Sequence, residues 1–265
     1  VTAASQPAPS AKPTAVELLE EAELFLQQSR SVSVGLRHTV DLFGHRLVGT
    51  GTYSELQDAR TRFSRLELKI QLGQQTTSLV QVCDGEAIWT HRRLLDDGKL
   101  ERVDLARVRA ALRQAGRPLD DQPPSGAGHL CGLGRLLHGL GQRFEFAPPQ
   151  PGLLGTEKLP VWRLTGRWKH EPDAAASNGP PDAVEKMPHI PDEVVLCLRQ
   201  ADRFPLSVRY LRGHGGQGRP LVSIQLDEPT FNAPIDPSQF TYAAGNSGEV
   251  DGTPDALRSL GLGDK

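Results

Sequence analysis

The chain is short of the residues that carry most metal, redox and nucleophilic chemistry. Its 265 residues hold three cysteines and one methionine, and aromatic side chains make up only 5%. The cysteines, at 83, 131 and 197, are odd in number and far apart, which excludes a disulfide framework and shows no metal-ligand spacing. One pair, Cys83 with Cys197, is the candidate for a bridge in an oxidising compartment because both fall in predicted strands. The alternative is three small buried hydrophobes. No apolar run approaches the ~18 residues that a membrane-spanning helix needs. Excess charge of one sign is missing too: 30 Lys and Arg against 32 Asp and Glu leave a net charge of -2, with no global pull toward nucleic acid or an anionic membrane. The chain begins at Val1 and its only methionine is Met187, which points to a processed or trimmed start.

Catalytic signatures are also absent. There is no Gly-x-Ser-x-Gly elbow, no His-Glu-x-x-His pair and no Walker lysine. The stretch Gly132-Leu133-Gly134-Arg135-Leu136-Leu137-His138-Gly139 lacks phosphate-loop spacing, and its leucines recur as on a packing helix. His170, Glu171, His189 and His214 fall in predicted loops without ligand spacing and read as solvated. The reading therefore assigns no catalytic residue, no metal and no cofactor. An enzyme using these loop groups is the least supported function class.

What is present is a change of hydrophobic period along the chain. Residues 1–13 are rich in Ala, Pro and Ser and read as a flexible tether. Thr14 and Glu17 form a capping box that opens a helix carrying Leu18, Leu19, Ala22, Phe25 and Leu26 on one face, ending near Ser29. From Val32 the period drops to 2, and strands follow to Val103 as an antiparallel meander. Gly49 and Gly51 bend its second strand, and Asp84-Gly85 turns a hairpin. Leu66, Leu68 and Ile70 alternate with Glu67 and Lys69, as in a sheet with one wet face. Asp104 caps a helix bearing Leu105, Val108, Ala111, Leu112 and Ala115, and Leu130, Leu133, Leu136, Leu137 and Leu140 mark another. Strands resume over 143–146, 161–169, 193–200, 206–212 and 221–227, around a Pro/Ala-rich loop at 170–191. Trp162, Leu164 and Trp168 share one strand face, and Thr253-Pro254-Asp255 starts a short helix through Leu260. This order predicts an α+β domain over 14–243, with a tail over 244–265. Its core is a strongly curved antiparallel sheet with helices covering the concave face.

Two patches carry a family resemblance. One is the hairpin Val82-Cys83-Asp84-Gly85-Glu86-Ala87-Ile88-Trp89; the other is the closing run Asn232-Ala233-Pro234-Ile235-Asp236-Pro237-Ser238-Gln239-Phe240. In this order the chain resembles the LolA/LolB/LppX superfamily of periplasmic lipid and lipoprotein carriers. The resemblance implies an unclosed half-barrel and a non-catalytic, extracytoplasmic carrier or sensor of acyl chains. It implies a lipid or acylated lipoprotein as partner, an envelope protein as a further one, and a membrane tether ahead of Val1. Neither nucleic acid nor a transmembrane segment belongs to it. By strand position, the ligand wall falls to Leu36, Val40, Leu66, Leu68, Ile70, Val80, Val82, Trp162, Leu164 and Val208. Lid positions fall to Leu105, Val108, Leu112, Leu133, Leu136 and Leu140, of which Leu112 and Leu136 are assigned to the ligand. Burial of an acyl chain there is worth ~0.8 kcal/mol per methylene. On this reading Leu68→Glu and Leu164→Glu leave the fold intact and abolish ligand uptake. The competing reading is a structural or interaction module whose half-barrel is filled by its own side chains.

Overall fold

The computed structural model describes residues 12–42, 45–58, 61–72, 75–94, 97–117, 132–169, 191–213, 218–242 and 248–262. Helix α1 (Ala15–Gln28) begins where the capping box places it: the Glu17 amide donates to Thr14 Oγ1 at 3.2 Å, and the Thr14 amide donates to the Glu17 carboxylate at 2.7 Å. The switch to period 2 then yields β1 (Ser31–Leu42), β2 (His45–Asp58), β3 (Thr61–Leu72), β4 (Gln75–Cys83), β5 (Ala87–Leu94) and β6 (Asp97–Asp104). After α2 (Leu105–Gln114) and α3 (Leu133–Arg143) come β7 (Phe144–Phe146), β8 (Gln150–Leu154), β9 (Leu159–Trp168), β10 (Glu193–Arg199), β11 (Pro205–Arg212) and β12 (Arg219–Phe231). A 3-10 turn (Pro237–Phe240), β13 (Glu249–Asp251) and α4 (Thr253–Ser259) complete the chain.

The strands form one sheet in the order β13-β6-β5-β4-β3-β2-β1-β12-β11-β10-β9-β7, with β8 also beside β9. Strand β12 returns to β1, pairing Leu226 with Leu36, and so joins two meanders into one curved sheet with free margins. Pairing is antiparallel except between β13 and β6. The expected α+β unclosed half-barrel is therefore the observed fold. Gly49 and Gly51 matter because β2 and β3 press together: a Cβ at Gly51 would collide with the Glu67 carbonyl, and one at Gly49 would lie 2.8 Å from the Ile70 side chain.

Helices α1 and α3 lie together on the concave face. They bury Leu18, Leu19, Ala22, Leu26, Leu133, Leu137 and Leu140 against Val32, Val34, Leu36, Leu66, Leu68, Leu164, Leu196 and Val208. Each fully buried leucine contributes about 1.5–3 kcal/mol. Helix α2 departs from the expected covering role. It packs with α4 at the β5–β6 margin, where Asp104 caps it through the Ala106 and Arg107 amides, and Arg107 reaches Asp251 at 2.6 Å. Strand β6 ends at that margin, so a helix leaving it directly stays there. Strands β8 and β13 were not expected. The Cys83–Cys197 bridge is not formed: both side chains are buried and neither is in a disulfide. They lie on β4 and β10, six strand spacings apart, roughly 29 Å along the sheet and on opposite faces of it.

The two resemblance patches meet on the outer face. Asn232 accepts the Arg30 amide at 2.8 Å, and Ser31 Oγ donates to the Ala233 carbonyl at 2.6 Å, which directs the closing run back over the sheet. Phe240 is buried beside Phe63, and Tyr242 stacks on Trp89 with centroids 5.8 Å apart. Trp89 Nε1 donates to Asp84 of its own hairpin at 2.9 Å.

Candidate functional site

Strand register decides which residues face the helices. Leu36 pairs with Gly51, Gly51 with Leu68, and Leu68 with Leu79, so these share the concave face. Of the ten wall residues expected from the sequence, Leu36, Leu66, Leu68, Leu164 and Val208 meet in one core with α1 and α3, none more than 7% exposed. Ile70 and Trp162, with Leu136 of α3, are half-buried and pack against that core, and Val40 is half-buried on the same face. Val80 and Val82 are on the other side, because they pair with Glu67 and Arg65 while Leu79 and Gln81 take the inward positions. In Leu79-Val80-Gln81-Val82 the alternation by itself favours Val80 and Val82 as the inward pair, and only register with β3 turns Leu79 and Gln81 toward the helices. Leu112 is buried outside the main core, on α2. Toward β4–β6 the concave face turns polar, with Gln81 Nε2 donating to Thr90 at 3.2 Å and Arg92 paired to Glu101 at 3.3 Å.

At the β7 margin an open cleft of about 740 Å³ separates the start of α1, the end of α3 and residues 144–149. Leu19, Phe144 and Phe146 line its apolar part with Val16, which is 64% exposed. Phe144 is fixed edge-on against Trp168 at 5.1 Å and lies 6.3 Å from Tyr210, whose hydroxyl is pushed above its ordinary pKa by burial, with Arg143 opposing. Lys12, Lys169, His138, Glu20, Glu23 and Glu145 form the charged rim. Lys169 donates to the Gly141 and Gln142 carbonyls at 3.1 Å each, closing the end of α3, while His138 and Glu23 join the two helices at 3.5 Å. None of the twelve expected ligand residues lines this cleft. The available signal was Phe144-Glu145-Phe146 followed by Pro148-Pro149, an alternating apolar pair stopped at a sheet edge.

A buried carboxylate ties the covering helices to the sheet. Glu55, on the concave face of β2, accepts from Tyr53 Oη at 2.5 Å, from Arg62 Nη1 at 2.5 Å and from the Leu133 amide. Arg62 also donates to the Leu26 carbonyl of α1 at 3.1 Å. The N-cap of α3 is Gly132, with no side chain to offer, so Glu55 serves its exposed first turn from across the interface. Farther along the concave face, burial holds the His38 imidazole below its ordinary pKa. Among the described residues, no three His, Cys, Asp or Glu side chains are grouped to hold a metal ion. Cys131, His170, Glu171, His189 and His214 lie outside the described residues.

No protein-family model matches this sequence, and no curated protein is similar to it in sequence. Solved structures are similar in fold. MucB in its complex with MucA, from Pseudomonas aeruginosa, is 12% identical with a TM-score of 0.45; the match covers 85% of this chain and 60% of that one. The chain thus spans about three-fifths of the MucB chain. The Mycobacterium tuberculosis lipoprotein LppX is 15% identical, with a TM-score of 0.41 and coverage of 84% and 99%. A LolA superfamily protein from Nitrosomonas europaea is 11% identical, with a TM-score of 0.32 and coverage of 87% and 98%. These likenesses are of fold alone.

Proposed function

We propose that this protein binds the acyl chain of a lipid or lipoprotein, without catalysis and outside the cytoplasm, as a carrier or sensor. The observation that carries the reading is the open cleft where α1, α3 and β7 fail to close over the apolar sheet. Its volume lies within the ~300–1,000 Å³ range of small-molecule sites. An acyl chain lying on Leu19, Phe144 and Phe146 gains ~0.8 kcal/mol per buried methylene, and the charged rim is suited to its polar end. The expected wall residues then act one layer behind the ligand, where the leucines of α1 and α3 cover them. Native mass spectrometry after mild purification tests this reading. Co-purified lipid at a stoichiometric ratio is the expected result, and a ligand-free chain that also takes up no added fatty acid would contradict it.

A second reading has its own support. Leu18, Leu26, Leu137 and Leu140 are each 3% exposed or less and fill the concave face with the protein's own side chains. On that reading the half-barrel is a self-filled scaffold, its surface recruits an envelope protein, and no lipid copurifies.

A further inference from the structure

The near-zero net charge conceals an uneven distribution on the outer face. Register aligns Gln150, Arg163, Cys197, Ser207, Gln225, Arg37, Thr50, Lys69, Ser78 and Arg93 in one row across ten strands. The adjacent row is Thr165, Val195, Arg209, Ser223, Thr39, Val48, Gln71 and Thr76. Together they present five cations and no carboxylate, in a chain whose acids outnumber its bases. Arg37, Lys69, Arg93 and Arg163 are exposed, and Arg209 is half-buried. None of the five makes an ion pair with a described carboxylate. Of the acids flanking the rows, Glu67 and Asp41 are engaged by Arg65 at 2.6 Å and Arg219 at 2.8 Å, while Asp227, opposite Gly35, is exposed at one border.

We propose that these two rows are a docking surface for an acidic, extended polypeptide segment. Arg37 to Lys69 and Lys69 to Arg93 are two strand spacings each, about 10 Å, so the cations form a ladder rather than a point cluster. Cys197, Ser207 and Val195 are buried, so the accessible ladder runs from Gln225 through Arg37 and Lys69 to Arg93, where Gln225, Thr50 and Ser78 supply hydrogen-bond donors for carboxylates. The rows run across the strands and follow the bend of the sheet, a path that a flexible chain can follow and a flat bilayer cannot. They contain no aromatic side chain, which removes the stacking platform that single-stranded nucleic acid uses. Duplex DNA, with a persistence length of about 50 nm, pays a bending cost on such a surface that a flexible polypeptide does not.

Fluorescence anisotropy with labelled poly-L-glutamate tests the surface. The account expects saturable binding at low salt that weakens above ~0.1 M, where the Debye length falls below the ladder spacing, and fades by ~0.3 M. Arg37→Gln/Lys69→Gln/Arg93→Gln should weaken it about tenfold or more, with an unchanged circular dichroism spectrum because all three side chains are exposed. Arg113→Gln/Lys158→Gln/Arg258→Gln removes equal charge elsewhere and should leave binding within about twofold. Equal loss in both triple variants would reduce the effect to net charge and overturn the proposal. So would absence of saturable binding, or tighter binding to anionic phospholipid vesicles or oligo-dT than to poly-L-glutamate.

Discussion

Glu55 is almost wholly buried, yet its carboxylate meets three donors from two strands and a helix, and its partner Arg62 holds the last turn of α1. Removing one member of such a pair leaves a desolvated charge behind. Arg62 keeps 23% of its side chain exposed, so Glu55→Ala should cost about 3 kcal/mol, at the lower end for buried pairs. Urea denaturation reads this as a lower midpoint with the same slope, and an unchanged midpoint would contradict it. His38 makes a pH-dependent contribution. Its folded pKa lies below the ordinary value, so as pH falls the unfolded chain takes up the proton first. Stability is therefore full above about 6.5 and declines as pH drops from there toward the folded pKa. His38→Gln should flatten that part of the stability profile; an identical slope in the variant would refute the assignment. Neither residue was legible as important in the sequence. Glu55 finds its partners 7 and 78 positions away, through register and helix packing that no local pattern encodes.

Elements with local signals were read correctly. The Thr14 capping box, the Asp104 cap and the Asp84-Gly85 turn each act within a few residues, so their chemistry is visible in a short window. Strands β8 and β13 escaped notice because one contains Pro151 and Gly152 and the other has three exposed residues. The facing of Val80 and Val82 was misread for a different reason: their strand puts the polar Gln81 on the inward face and the two valines outward. The closing run shows what a motif does physically: it holds the chain at Asn232 and delivers Tyr242 onto Trp89. Tyr242→Ala should cost about 1 kcal/mol and shift Trp89 emission to longer wavelength as water reaches the indole. Trp89→Phe in the same background identifies the signal; emission unchanged by Tyr242→Ala would show that the stack does not shield Trp89.

For the whole molecule, curvature and the helix-covered face followed from strand order and period, whereas the depth of filling did not. Apolar alternation cannot distinguish a wall facing a ligand from one facing a helix, since both ask for the same residues. Leu164 is wholly buried and Leu68 is 4% exposed, beneath α1 and α3. A carboxylate at either position therefore unfolds the domain, reversing the expectation of a tolerant groove wall. The cleft at the β7 margin is different, because Phe146 is half-buried and borders open volume. The most direct test is uptake of a fluorescent fatty acid by the parent, Phe146→Glu and Leu164→Glu proteins, with circular dichroism on the same samples. The account predicts saturable uptake by the parent, a folded Phe146→Glu protein with uptake reduced about tenfold or more, and collapse of Leu164→Glu. A folded Phe146→Glu protein that takes up the fatty acid as well as the parent would contradict it.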